Sequence, residues 1–148
     1  MTVKAHTEWT TEELWRQEQG NFSAHMAIMF HYLEKHGLPL DDFIQFVGES
    51  VLPSWRRRGD TVPDVMNGIL LNVRANGATV QDVRITEEEA EATVSSLLRP
   101  DVMERYGVAP DLAGLFWNKF IPIAAAFGMR FSRTRIAAGQ DHIRLEKV

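Results

Sequence analysis

The 148-residue chain contains no cysteine, which removes disulfides, thiolate metal sites and a cysteine nucleophile together. A chain without cysteine suits the cytoplasm, and a cytoplasmic protein is the expectation. Long apolar runs are missing too. The longest, Phe120 to Gly128, is far shorter than the ~20 residues that cross a bilayer. Met1 to Thr10 is polar and lacks the apolar centre of a signal peptide, so a soluble chain with no membrane partner is expected. Glycine-rich phosphate loops of the Walker or dinucleotide type, the GxSxG elbow and the HExxH zinc signature are all absent. The few serines have no local nucleophile signature, and no cofactor and no metal is expected. Arg56, Arg57 and Arg58 form the only dense basic run in a chain of net charge −4, which excludes a nucleic-acid footprint.

Hydrophobic residues make up 45% of the sequence and charged residues 24%. At this length that is enough for one core and too little for two ordinary domains, so residues 1–148 read as a single domain. No repeat, low-complexity tract or linker divides it.

The chain reads as helices first and strands later. Thr10 with Glu13 is a capping box, apolar residues recur at helical spacing, and Gly37 supplies a stop, giving a helix from Thr11 to His36. A second helix opens after Pro39 and ends near Pro53. A third starts at Asp60 or Thr61, with Pro63 in its first turn, and ends at Gly77. From Ala78 the period changes. Ala78 to Ile85 and Glu91 to Leu98 read as an antiparallel hairpin around a glutamate-rich turn, although Thr86 with Glu89 is itself a capping box and leaves a helix open for the second segment. Pro100 to Tyr106 reads as a short helix. Pro110 begins a longer one, closed by Gly128, which Pro122 kinks or restarts. Met129 to Ile136 and His142 to Lys147 then form a hairpin across the turn Ala137 to Asp141. The fold class is α+β: N-terminal helices, then an antiparallel sheet of about four strands with a long helix between two hairpins.

The first helix carries the most informative pattern. Glu18, His25 and Tyr32 are heptad-spaced and stack in one column, flanked by Leu14 and Ile28 on one side and Trp15, Phe22 and Met29 on the other. Polar groups beside apolar ones point to a small-molecule pocket. Glu18 and His25 stand about 10 Å apart along the axis, so they grip opposite ends of one ligand rather than each other. Asn21, between them, can orient both. A base, an acid and an amide suit hydrolysis or proton transfer; the competing reading is a polar boundary, with Tyr32 filling the core and its hydroxyl in water. Lys119 interrupts the apolar stripe of the late helix. It is a snorkelling stem, a cation for a carboxylate, an amine of lowered pKa, or the partner of Glu18. Trp15, Phe22, Met29, Tyr32, Phe116 and Trp117 are the candidate walls for a ligand. Arg133, with Arg135 on the same strand face, can clamp a carboxylate or phosphate.

The later half, reading ATVQDVRI, EAEATVSSLLRP, DLAGLFWNKFIPIAAAFG and MRFSRTRIAAGQDHIRL, resembles the element order of 4-vinyl-reductase-like and L-2-amino-thiazoline-4-carboxylate hydrolase-like α+β domains. The likeness is one of pattern over about half the chain. It implies a small-ligand cavity between sheet and helices, and a homodimer. Cysteines common in those groups are absent here, and no catalytic residue is carried over. Two functions follow as expectations: a cofactor-independent enzyme using Glu18, His25, Asn21 and Lys119 on a small, partly apolar, anionic metabolite, or a non-catalytic binding or sensor module using the same cavity.

Overall fold

The structure is a computed structural model that describes residues 7–148; the polar stretch read from Met1 therefore lies in part outside the described residues. Helix α1, Thr11–Lys35, starts where the capping box predicts. The Thr10 N–H donates to Glu13 Oε2 at 2.7 Å, and the Glu13 N–H donates to Thr10 Oγ1 at 3.1 Å. Gly37, at φ +62°, ends it, where the Leu38 N–H closes back on the Leu33 carbonyl at 2.9 Å. The expected second helix is two, α2 (Leu40–Ser50) and α3 (Leu52–Trp55), because Pro53 sits in the first turn of a new helix instead of ending the old one. Helix α4, Val62–Ala75, is capped by Thr61 and Asp64.

Four antiparallel strands follow in two hairpins: β1 (Thr79–Ile85) with β2 (Glu89–Ser95), and β3 (Met129–Ala137) with β4 (Gln140–Lys147). Their order is β1-β2-β4-β3, so the last strand lies in the middle beside β2. The strand reading of the second segment is the one realised, although β2 begins earlier and stops at Ser95. Thr86 caps a turn rather than a helix: its hydroxyl takes the Glu89 N–H at 3.0 Å and donates to the Glu89 carbonyl at 2.9 Å.

Between the hairpins lie α5 (Pro100–Arg105), α6 (Pro110–Gly114), a 3-10 turn (Leu115–Lys119) and α7 (Phe120–Ala126). The long helix expected from Pro110 to Gly128 is thus broken. Pro122 has no N–H to give the Asn118 carbonyl, and its ring crowds that carbonyl; the chain tightens into the 3-10 turn and restarts with Pro122 in a first turn that needs no donor. Gly48 of α2 seats against this break. A Cβ there would stand 2.2 Å from the Lys119 carbonyl oxygen and 2.5 Å from Pro122 Cγ.

The core lies between the helices and one face of the sheet. Ala90, Ala92 and Val94 of β2, Ile143 and Leu145 of β4, and Met129 and Phe131 of β3 meet Val65, Met66 and Ile69 of α4 and Phe116, Trp117 and Phe120. The opposite face is a lattice of ion pairs, with Arg84 on Glu89 and Glu91 at 2.9 and 3.1 Å and Arg144 on Glu89 and Glu146 at 2.6 and 3.2 Å. Those hydrogen bonds hold the Glu89 carboxyl below the usual range, and the charges keep this face in water. Among the described residues, no helix is long and apolar enough to cross a membrane.

Candidate functional site

Strand period explains where the polar site forms. On β3 the inward residues run Met129, Phe131, Arg133, Arg135; on β4, read backwards, they run Leu145, Ile143, Asp141. At one end of the sheet the apolar layer therefore gives way to charge on the same face. Register pairs Arg133 with Ile143 and Arg135 with Asp141, and β2 sets Val94 opposite Asp141.

Asp141 is the centre of this arrangement and is buried, at 8% exposure. Its Oδ1 accepts from Arg133 Nη1 at 2.9 Å, and its Oδ2 accepts from the indole N–H of Trp117 at 3.2 Å. The Trp117 ring stacks on Phe131 at 6.1 Å, tying the pair to the core. Arg133 lies against α6, where a Cβ on Gly114 would come within 3.2 Å of its Nη1. Arg135 pairs with Asp111 in the first turn of α6, out in solvent.

These residues line a cleft of about 910 Å³, open to water on one side. Leu97, Leu98, Met103, Val108 and Ala113 give it apolar walls, while Ser95, Ser96 and Gln140 add polar groups. Ser96 adopts φ +64°, and its N–H donates to the Gly139 carbonyl at 2.9 Å. That contact holds the exit of β2 against the β3–β4 turn and shapes the mouth. No histidine lines the cleft. Among the described residues, no group of three or more His, Asp or Glu side chains could hold a metal ion.

The structure separates the remaining predicted residues from this cleft. Glu18, His25 and Tyr32 lie on the solvent face of α1, with Leu14, Trp15, Ile28 and Met29 exposed beside them. The column takes no part in lining the cleft, and α1 buries Gln19, Ser23, Met26, Ala27 and Phe30 instead. Asn21 accepts from Gln17 Nε2 at 2.8 Å, a link within the helix rather than a bridge between Glu18 and His25. The Trp15 indole donates to the Ala75 carbonyl at 3.2 Å, and Tyr32 packs on His36 with ring centres 4.3 Å apart. Phe22 meets Phe116 edge-on at 5.9 Å. Phe116 itself is core.

Lys119 joins neither the column nor the cleft. Its ammonium sits 4.2 Å from the Phe116 ring centre and 4.9 Å from that of Phe120. Burial there pushes its pKa down to about 8, and Glu18 does not pair with it. Of the residues singled out from sequence, Trp117, Arg133 and Arg135 line the cleft, whereas Phe22, Phe116 and Lys119 meet one another outside it. Asp141, which the hairpin signal assigns to the turn, holds Trp117 and Arg133, and the alternation Leu145, Ile143, Asp141 carries the signal for it.

No protein-family model matches the chain, and no curated protein matches its sequence.

Proposed function

We propose that the chain is a non-catalytic binding module that takes a small apolar molecule with an anionic end into the cleft beside Asp141. One observation carries the reading: Arg133 is held by the Asp141 carboxylate through Nη1 alone, so its other N–H groups stay unused beside the apolar walls of the cleft. A guanidinium fixed in this way can offer charge-assisted hydrogen bonds to a carboxylate without paying to order its own side chain. Arg135 can add a second contact, since its exposed pair with Asp111 is of the kind worth at most about 1 kcal/mol.

Binding is preferred to acid–base catalysis because the cleft has no group suited to proton transfer. Both Asp141 oxygens are already accepting, and Glu104 and Asp111 stand in water at the rim. Glu18 and His25 face solvent on α1, apart from the residues that line the cleft.

The test uses octanoate and phenylbutyrate against octanamide, followed by the Trp117 indole N–H resonance and by calorimetry. The carboxylates are expected to bind at least ~10-fold more tightly than the amide. Arg133→Gln is expected to remove that preference, whereas Glu18→Gln and His25→Gln leave it intact. A Trp117 resonance that no carboxylate moves, or a preference that survives Arg133→Gln, overturns the reading.

A further inference from the structure

The chain has lysines at positions 4, 35, 119 and 147, the first outside the described residues, and Lys119 is set unlike the others. Lys35 is exposed in the last turn of α1, and Lys147, exposed at the end of β4, pairs with Glu88 at 3.0 Å. The Lys119 ammonium instead faces the Phe116 and Phe120 rings, and Phe22 of α1 closes on Phe116 from the far side. Rings return part of the attraction that water gives a cation, but they do not replace its hydrogen bonds. The elements around the turn bring no anion to it. Helix α7 has no titratable residue; α2 carries Asp41, Asp42 and Glu49, α1 carries Glu18 and His25 beside Phe22, and α6 carries Asp111, which pairs with Arg135. None of them forms an ion pair with Lys119, and burial is the one cause of its lowered pKa. The nitrogen is still reachable. Lys119 is half-buried, and among the described residues the one buried side-chain polar atom without a hydrogen-bond partner is Gln19 Nε2; Lys119 Nζ, which has none either, therefore keeps contact with water.

We propose that Lys119 is an acylation site, at which the amine between the two rings takes the acyl group of a neutral thioester and becomes an amide. A lysine deprived of full hydration and of a counter-ion is a nucleophile at a pH where exposed lysines are ammonium ions. The Nζ lone pair attacks the thioester carbonyl carbon; the C–N bond forms, the C–S bond breaks, and the proton shed by nitrogen passes through water to the departing thiolate. A thiolate leaves without help, so the step asks no acid or base of the protein, and none pairs with this nitrogen. An aldehyde is the poorer reactant for the same reason, because expelling water from its adduct calls for a proton donor. The product suits its surroundings. Acylation removes the charge that burial penalises, and a neutral donor brings no second charge to the rings.

The gain over an ordinary lysine follows from the chemistry of the amine. Burial lowers the Lys119 pKa from 10.5 to about 8, so at pH 7 its share of free amine is roughly 300-fold that of an exposed lysine. A less basic nitrogen is also a weaker nucleophile, and a Brønsted slope of about 0.4–0.5, as for thiolates, takes back roughly 10–20-fold. A preference of at least ~10-fold for Lys119 remains.

The test treats the full wild-type chain with a limiting amount of S-acetyl-N-acetylcysteamine, a neutral thioester, and maps acetyl-lysine by peptide mass spectrometry from about pH 6.5 to 9.5. At pH 7 Lys119 is expected to be acetylated at least ~10-fold faster than Lys35 and Lys147. Its rate should level off above pH about 8, whereas the rates of Lys35 and Lys147 keep rising. In urea the preference should vanish, because the unfolded chain hydrates all its lysines alike. Acetylation of Lys119 no faster than that of Lys35 overturns the proposal. So does a preference that survives unfolding, which would belong to the local sequence, or a Lys119 rate that still climbs at the top of the pH range, which would mean an ordinary ammonium.

Discussion

Replacing Asp141 by Asn keeps the shape of the side chain and removes what the site needs from it. The carboxylate accepts two hydrogen bonds on different oxygens, from Arg133 and from Trp117. An amide has one accepting oxygen, so its NH2 group must face one of those two donors. Removing one partner of a fully buried pair costs about 3–5 kcal/mol. Here the Arg133 side chain is 23% exposed and that of Asp141 11%, so water recovers part of the loss and about 2–3 kcal/mol remains. For a chain of this size the melting temperature should fall by roughly 4–12 °C. Urea unfolding followed by circular dichroism measures the change, with an unaltered m-value. A cycle with Arg133→Met and the double variant is expected to return a coupling of about 1.5 kcal/mol or more. A loss below about 0.5 kcal/mol with no coupling refutes the view that Asp141 fixes the guanidinium.

The same residue shows where the sequence is legible and where it is not. Caps and breakers are local, so Thr10 with Glu13, Thr61, Gly37 and Gly128 mark element ends without knowledge of the neighbours. The change from helical to alternating period at Gly77 is equally local, and the α+β class rests on it. Direction is not local. Helix α1 has apolar residues on nearly every side, and its buried stripe includes Ser23 and Ala27, small residues that permit a close approach. The larger Leu14, Trp15 and Ile28 are left outside, so ranking faces by bulk selects the wrong one. At the site, the parity of Arg133 with Arg135 is visible in one strand, but their partner is not. The turn signal of Gly139 assigns Asp141 to a loop, whereas β4 begins at Gln140 and carries Asp141 inward with Ile143. Trp117, expected as a wall, lines the cleft; its polar end gains meaning only when Asp141 lies beneath it.

Gly48→Ala is expected to destabilise the chain by about 2–3 kcal/mol in urea unfolding. The new Cβ would strike the backbone of the 3-10 turn at 2.2 Å, and the ~1 kcal/mol of helix propensity that alanine brings to α2 does not offset this; an unchanged or raised midpoint refutes the tight seat of α2 on the Lys119 carbonyl. Lys119→Met tests the cost of a cation among rings. The folded state lowers this pKa from 10.5 to about 8, so between those values the unfolded chain binds more protons than the folded one, and stability must rise with pH across that window. Below pH 8 the full penalty applies, on the order of 3 kcal/mol. Methionine fills a similar volume without charge, so the variant should be more stable than the wild type at pH 7, and the gap should close as pH approaches 10. Other groups titrate alike in both proteins and cancel from the difference. A gap that stays constant from pH 7 to 10 would mean that the ammonium is hydrated in the fold and that the contacts with Phe116 and Phe120 cost it nothing.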